Sequence, residues 1–249
     1  APLPYVAIPT TAGTGAEATR NAVIGLPDHG RKVSIRDERM LPRLAIVDPA
    51  LTDGCPRAVT LASGLDALAQ VIEPYLSCKA TPFTDALVRP VIAPGLAALV
   101  RLMQDEDAAA RDVMAWTSLC GGMALANGGL GAVHGLAGVI GGLIPAAHGA
   151  ICGALLGPVL RMNRRLVPDT ARVDEVCGII AGVLGGSAAD APQRLADWAR
   201  VCGLPYLMAQ GLTPDRHAAV AEAALLSSSM KGNPVQPPVA ALIETLAAA

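Results

Sequence analysis

The sequence predicts a mainly α-helical fold in which a short strand-rich segment precedes a long helical region. The chain of 249 residues is 52% hydrophobic but only 2% aromatic, so its core must be built from Ala, Leu, Val and Ile. Small residues in such numbers favour closely packed helices over sheets, whose strands prefer β-branched and aromatic side chains. From Pro56 onward, apolar residues recur at helical spacing. The change of pattern near residue 55 marks the expected boundary between the two regions.

Three short stretches before this boundary are predicted to be strands. Residues 5–8 form an apolar run that Pro9 ends, residues 32–36 alternate polar and apolar side chains, and residues 44–47 precede an Asp-Pro pair. Each pattern is typical of a strand. About three strands in so short a segment indicate a fragment of an α/β or mixed sheet, whose edges would need a partner to cover them.

A turn rich in Thr and Gly follows the first predicted strand. Residues 10–15 read TTAGTG, and the Ala-Glu-Ala sequence after them could begin a helix. A strand, such a turn and a helix start together offer backbone N–H groups and hydroxyls to a phosphate. Gly and Thr are also ordinary turn residues. A phosphate-binding turn and a purely structural turn therefore both stay open at this point.

The remaining sequence is predicted to be helical. In the first long helix, apolar residues three or four positions apart form one face, and they are Leu61, Leu65, Leu68, Ile72 and Leu76. Further helices are predicted at residues 83–104, 107–126, 130–140, 148–163, 170–184, 190–202, 214–229 and 237–248. Prolines lie at several of their edges, namely Pro82, Pro168, Pro205 and Pro214.

Charge and cysteine content exclude several classes of protein. The net charge is −2 and Lys and Arg do not cluster, so neither nucleic acid nor a membrane is expected as a partner. The six cysteines are scattered without a CxxC pair, which favours a reducing, cytoplasmic location over a disulfide framework. Residues 113–160 carry no Asp, Glu, Lys or Arg and exceed the roughly 20 residues that span a bilayer. Asn, His, Pro and Gly interrupt this run, so buried helices are expected instead of a membrane-spanning pair.

Two histidines and one carboxylate are candidates for a metal site. His134 and His148 lie within the uncharged run, and Asp66 interrupts the first apolar helix. A carboxylate in such a helix is costly unless it is paired or binds a cation. Gln70 lies four residues after Asp66 on the same face, and Glu73 lies near that face. One carboxylate and two imidazoles suit Fe or Zn, not Ca or Mg.

An ordinary structural explanation exists for each candidate. A lone His in an apolar helix is often a hydrogen-bonded core residue, and Asp66 could be a surface or helix-terminal carboxylate. The other two histidines, His29 and His217, lie in polar sequence and are expected to be solvent exposed. The residue types alone leave the metal site and the structural explanation open.

Three ordered segments resemble a known family: PTTAGTGAEAT, LAIVDPALTDGCPRAVTLASGLDAL and GLGAVHGLAGVIGGLIPAAHGAICGALLGPVLRMN. They are similar to the iron-containing (group III) alcohol dehydrogenases, and the resemblance covers nearly the whole chain. It implies the dehydroquinate-synthase-like fold. Residues 1–55 would be the C-terminal remnant of an α/β dinucleotide-binding domain, and residues 56–249 an all-helical domain for metal and substrate.

The resemblance also implies a set of metal ligands. In the family, an Asp and three His hold a divalent metal, typically Fe2+ or Zn2+, and Asp66, His134 and His148 match three of these positions. Gln70 stands where the remaining histidine is usual, and an amide oxygen is a weaker and harder donor than imidazole. Gly138 stands where many members have a further histidine that is thought to relay protons. We therefore expect a site with ligands Asp66, His134 and His148 and with Gln70 as an auxiliary donor.

The same comparison implies residues on the cofactor side. The residues that match the family's positions beside NAD or NADP are Thr10, Thr11, Gly13, Thr14, Lys32 and Leu51. The Gly-Gly-Gly-Ser turn that receives the pyrophosphate in the family would lie before Ala1. We therefore expect the chain to lack the N-terminal part of the nucleotide-binding domain.

For activity, the resemblance implies a metal-dependent alcohol dehydrogenase or aldehyde reductase. Such an enzyme transfers hydride reversibly between NAD(P) and a small alcohol or aldehyde, and no catalytic residue is assigned from the sequence. One alternative is a metal-independent reductase similar to maleylacetate reductases, which GRKVSIRDERMLP resembles, although that subgroup tends to lose the carboxylate at Asp66. The other alternative is a truncated helical remnant without catalysis. A cytoplasmic homodimer is expected.

Overall fold

A computed structural model describes residues 3–249 and confirms the mainly helical fold class. Within these residues the α-helices are α1 (Arg57–Leu76), α2 (Pro82–Leu102), α3 (Ala108–Gly128), α4 (Ala132–Leu143), α5 (His148–Leu166), α6 (Ala171–Leu184), α7 (Ala191–Val201), α8 (His217–Leu225) and α9 (Val239–Ala248). Each predicted helix is present to within a few residues, except that the one predicted at 214–229 is shortened to α8.

The N-terminal region forms two small sheets. Strand β1 (Val6–Ala7) pairs in parallel with β4 (Leu44–Ala45), and β2 (Asn21–Leu26) pairs with β3 (Arg31–Arg36) as an antiparallel hairpin. The three predicted strands are present, but β2 was not predicted because NAVIGL does not alternate polar and apolar residues. The expected helix start after the TTAGTG turn is only a 3-10 turn, Ala16–Ala18. The predicted N-terminal unit begins at residue 1, and residues 1–2 lie outside the described residues.

Helix α1 is the central element of the helical region. It packs against α2, α3 and α5. Nearly all of its last seventeen residues are buried, and Leu65, Leu68 and Val71 are 0–1% exposed. Because α1 is surrounded, its polar residues cannot all reach solvent and must find partners inside the protein.

Small residues let α5 approach α1 closely. A Cβ atom on Gly149 would lie 2.3 Å from the Ala62 carbonyl oxygen, and a Cβ on Gly153 would lie 2.6 Å from Leu65 Cδ1. Larger residues at these two positions would separate the helices. The glycines thus bring the first turn of α5, which carries His148, next to the middle of α1.

The N-terminal region rests on α3 and α4 through two similar contacts. Gly15 has φ +56°, and a Cβ on Gly122 in α3 would lie only 2.1 Å from the Gly15 carbonyl oxygen. A Cβ on Gly142 in α4 would lie 2.6 Å from the Cα atom of Arg31 in β3. Both contacts require glycine on the helical side, because backbone meets backbone there.

The long uncharged run lies in α3, α4 and α5. By length and composition, α2 is the one helix in residues 3–249 that could cross a membrane, and the pair α3–α4 passes the same test but bends by 98°. Helix α2 packs against α1, α3 and α6. Packing against three other helices is typical of a helix inside a helical bundle.

Candidate metal centre

Helix α1 presents three buried polar side chains toward its neighbours. Asp66, Gln70 and Glu73 are 2%, 3% and 5% exposed. Their spacing of four and three residues places them along one side of the helix. This side faces the starts of α4 and α5 and the N-terminal segment.

Glu73 fixes the first turn of α4. One carboxylate oxygen accepts a hydrogen bond from the backbone N–H of Val133 at 2.6 Å, and the other lies 2.6 Å from His134 Nδ1. Asn233 Oδ1 accepts the neighbouring N–H of Ala132 at 3.1 Å. Orphan N–H groups at the helix start are thereby satisfied. The His134 ring is held with Nδ1 toward Glu73. Its other nitrogen, Nε2, is the atom that can bind a metal.

The free donor atoms of three residues converge. His134 Nε2 and Asp66 Oδ1 are 3.2 Å apart, and His148 Nε2 lies 3.9 Å from the same oxygen. Among the described residues, neither Asp66 Oδ1 nor His134 Nε2 has a hydrogen-bond partner of acceptable geometry, although both are buried. Two convergent buried polar atoms without partners would be costly, and a cation between them removes that cost. The residues therefore fit a divalent transition metal.

Burial and neighbouring charges shift the pKa values of the three groups in different directions. Burial opposes ionisation of Asp66, but its contact with His134 and the charges of both histidines outweigh burial and lower its pKa. Burial also opposes charging of His134, yet the neighbouring Cys152 and Glu73 help to raise its pKa well above the usual value. Burial dominates at His148 and lowers its pKa. Without a cation, His134 thus favours its charged form more than a free imidazole does, and a bound cation would have to displace the Nε2 proton.

Cys152 belongs to the same cluster, although the sequence analysis did not include it. Its Sγ atom lies 3.6 Å from His148 Nε2, and the donor atoms of Asp66, His134, His148 and Cys152 all lie within 4.8 Å of one another. Burial raises the pKa of its thiol to about 12. A signal was present in the sequence, since Cys152 follows His148 by four residues and so shares its helix face.

Gln70 and Gly138 are placed differently from the three convergent residues. The Gln70 side-chain amide donates a hydrogen bond to the carbonyl oxygen of Gly13 at 3.2 Å, so it connects α1 to the N-terminal segment. A Cβ atom on Gly138, one turn after His134, would meet no atom of residues 3–249 within 4 Å. The space that a larger side chain would occupy there is open.

The residues expected on the cofactor side lie on three separate elements. In the TTAGTG turn, Thr10, Thr11 and Thr14 are exposed while Gly13 is buried. Lys32, in β3, points toward α4, and its Nζ atom lies 3.1 Å from the position of a Cβ on Gly141. The charge of Lys32 contributes to the lowered pKa of His148. Leu51, in the turn Pro49–Thr52, is 45% exposed.

The other two histidines lie outside this cluster. His29 is exposed, as expected. His217 is only 7% exposed, so the expectation of solvent exposure was wrong. It begins α8, which packs against α4 and α9, and this packing could not be inferred from the polar sequence before the helix.

Fold and site together define a mainly helical protein with a buried carboxylate–imidazole cluster that suits a transition metal. Comparison with known families agrees. The profile of the Fe-containing alcohol dehydrogenase family, C-terminal, matches residues 60–249, and the profile of iron-containing alcohol dehydrogenases matches residues 1–49. The chain belongs to the iron-containing alcohol dehydrogenase family.

Individual relatives show how much of the family's length is present. The chain is 35% identical to the probable alcohol dehydrogenase EutG of Salmonella typhimurium over 264 residues, which cover 99% of this chain and 62% of that protein. It is 40% identical to the NAD-dependent methanol dehydrogenase of Bacillus methanolicus, over 77% of this chain and 50% of the relative. A crystal structure of 1,3-propanediol oxidoreductase has a TM-score of 0.86 at 33% identity, covering 99% of this chain and 66% of that one. The chain thus spans about three fifths of EutG.

Proposed function

We propose that the protein is a metal-dependent alcohol dehydrogenase or aldehyde reductase, which transfers hydride reversibly between NAD or NADP and a small alcohol or aldehyde. The observation that carries the proposal is the convergence of Asp66 Oδ1 and His134 Nε2, two buried polar atoms without partners in the described chain. Relatives named as alcohol, methanol and 1,3-propanediol dehydrogenases support the substrate class.

The proposed metal is Fe2+ or Zn2+, held by Asp66, His134 and His148 with Gln70 as an auxiliary donor. When bound, such a cation acts as a Lewis acid that stabilises negative charge on the substrate oxygen. The chain's own residues prepare the place for it. Glu73 accepts a hydrogen bond from Nδ1–H of His134 and so keeps Nε2 as the atom that can bind the metal. The small residues of α5 hold His148 against α1.

The cofactor side is proposed to consist of Thr10, Thr11, Gly13, Thr14, Lys32 and Leu51. Exposed hydroxyls and an exposed ammonium are suitable donors to the phosphates and sugars of NAD(P). The relative from Bacillus methanolicus is an NAD-dependent methanol dehydrogenase, which supports this cofactor class. We also propose two units, 1–55 and 56–249, and the family matches, which end at residue 49 and resume at residue 60, support this division.

We further propose that the protein is a cytoplasmic homodimer whose partners are small molecules. All six cysteines are free, which suits a reducing compartment. Sedimentation of the purified chain tests the dimer, and a monomer at micromolar concentration would contradict it.

Metal analysis tests the proposed site. Protein purified without chelator should contain stoichiometric Fe or Zn, and His134→Ala and His148→Ala should lose it. His217→Ala is the matched control, because His217 is also buried but lies on α8, outside the cluster. Absence of metal from folded wild-type protein, or its retention in both site variants, would contradict the proposal.

Activity is tested separately. Oxidation of NADH or NADPH should be faster with simple aldehydes than with maleylacetate, and it should require the metal. Turnover of maleylacetate by metal-free protein would favour the metal-independent reductase. Failure to bind NAD(H), in a sample with a normal thermal transition, would favour the non-catalytic helical remnant.

A further inference from the structure

We propose that Cys152 is a direct ligand of the metal, so that the cation is held by Asp66, His134, His148 and the Cys152 thiolate. This inference rests on the proposed metal site and changes its chemistry, because with four protein donors the substrate oxygen would have to enter as a fifth ligand. Gln70 would then act beside the site instead of supplying its fourth donor atom.

Three distances within the cluster are close to those of a tetrahedral site, and all four donor atoms lie within 4.8 Å of one another. Zinc bound to nitrogen or oxygen at ~2.1 Å and to sulfur at ~2.3 Å, with tetrahedral angles, separates two N/O ligand atoms by about 3.4 Å and a nitrogen from a sulfur by about 3.6 Å. His134 Nε2 and Asp66 Oδ1 are 3.2 Å apart, and His148 Nε2 and Asp66 Oδ1 are 3.9 Å apart. Cys152 Sγ lies 3.6 Å from His148 Nε2. The thiol is therefore within reach of a cation held by the other three groups.

The local fold places the thiol there. Cys152 is fully buried and lies one turn after His148 on α5. Gly149 and Gly153 flank it and bring α5 close to α1 at Ala62 and Leu65. Cys152 belongs to the buried apolar core, but its Sγ atom also lies among the donor atoms of a carboxylate and two imidazoles.

A second observation independently indicates a ligand at this place. Asp66 Oδ1 and His134 Nε2 are buried, belong to the same cluster and have no hydrogen-bond partner in the described residues. Gln70, the sequence-predicted fourth donor, instead uses its amide nitrogen to bind the Gly13 carbonyl. Gln70 is engaged with Gly13, so Cys152 would supply the fourth protein donor in its place.

A thiolate ligand has a chemical consequence. Sulfur is a softer donor than imidazole or carboxylate, and metal binding deprotonates a coordinating thiol even where burial disfavours the free thiolate. A site with one carboxylate, two imidazoles and one thiolate favours Zn2+ over Fe2+. We therefore expect this chain to select zinc.

Cobalt substitution tests the assignment without measuring activity. The chain loaded with Co2+ should show an intense sulfur-to-cobalt charge-transfer band in the near ultraviolet, together with the visible bands of tetrahedral cobalt. Cys152→Ser should lose the charge-transfer band, while Gln70→Ala should keep it. Cys177→Ser is the matched control, because Cys177 is equally buried but lies on α6, outside the cluster. Circular dichroism and thermal melting establish that each variant is folded.

The outcomes separate this inference from the proposed function. A charge-transfer band that persists in folded Cys152→Ser overturns it. The inference is also overturned if wild-type protein shows the visible cobalt bands but no charge-transfer band. If His134→Ala then loses the visible bands, the proposed metal site itself still stands. Folded wild-type protein that binds no Co2+ overturns both proposals. If Cys152→Ser does not fold, zinc X-ray absorption of the wild type decides, since a sulfur neighbour supports the inference and its absence overturns it.

Discussion

The two regions of the chain bury similar apolar residues to very different extents. In the N-terminal region, Val6, Val23 and Leu44 are 51%, 65% and 52% exposed. In the helical region, Leu65 and Leu68 are 0% and 1% exposed. Apolar area removed from water stabilises a fold by about 25 cal/mol per Å². The helical region therefore has an apolar core of its own, whereas the N-terminal strands contribute little burial.

The difference explains how the N-terminal region is held. A two-stranded sheet is marginally stable in water at best, and both sheets here have two strands. Their position depends on contacts with the helical region, such as Gly15 on Gly122 and Gly13 on Gln70. The exposed apolar side chains of the strands form a surface that a further protein segment or another chain could cover.

The largest expected effect compares two Leu→Ala substitutions. Leu68→Ala removes a fully buried side chain from α1 and should lower the free energy of unfolding by about 3 kcal/mol, because lost burial and a cavity add. Leu44→Ala, at a half-exposed site in β4, should change it by less than about 0.5 kcal/mol. Denaturant unfolding measures both. Equal effects would show that the two regions do not differ as described.

The contact between the regions is tested by Gly122→Ala. Alanine would favour the helix by about 1 kcal/mol, but its Cβ would meet the Gly15 carbonyl at 2.1 Å, so a net loss of about 2 kcal/mol is expected. Gly178→Ala is the control, because Gly178 lies in α6 with no atom of the described residues near its Cβ position, and it should stabilise the protein slightly. Thermal melting should move the two variants in opposite directions. A shift in the same direction would exclude the close contact.

The pH dependence of metal binding tests the helical region alone. The pKa of His134 is raised, so a cation must displace a strongly held proton, whereas the lowered pKa of His148 leaves that ring neutral at pH 7. Affinity should therefore rise with pH, by up to about tenfold per pH unit for the His134 proton and by up to about a further tenfold if Cys152, whose thiol pKa is raised to about 12, binds as a thiolate. Competition with a chromophoric chelator measures the metal affinity over about two pH units, from about pH 6 to about pH 8. An affinity that falls as pH rises would contradict the assignment of His134.

The smallest expected effect concerns the tether between the regions. Gln70→Ala removes the hydrogen bond to Gly13 and should cost about 1 kcal/mol of stability. It should also increase hydrogen exchange in residues 10–15 while α1 stays protected. Gln104→Ala, at an exposed position after α2, is the control and should change neither quantity. Unchanged exchange in the turn of Gln70→Ala would show that the tether does not hold the N-terminal segment.

Much of the fold was predictable because helices follow local periodicity. The apolar spacing in α1 and the prolines at helix edges gave bounds close to those observed. Strand β2 and the burial of His217 were not predictable in this way, since each depends on a pairing or packing partner elsewhere in the chain. Local patterns describe one element, and they do not say which element covers it.

The sequence by itself singled out Asp66, His134 and His148 as candidate ligands, because a carboxylate and imidazoles in apolar helices are costly without a partner. Only the tertiary structure decided what surrounds them. It placed Cys152 in the cluster, gave Glu73 the role of fixing His134, and directed Gln70 toward Gly13. The physical reason is that spacing defines the faces of one helix. Which faces of α1, α4 and α5 meet is decided by packing of residues far apart in the chain.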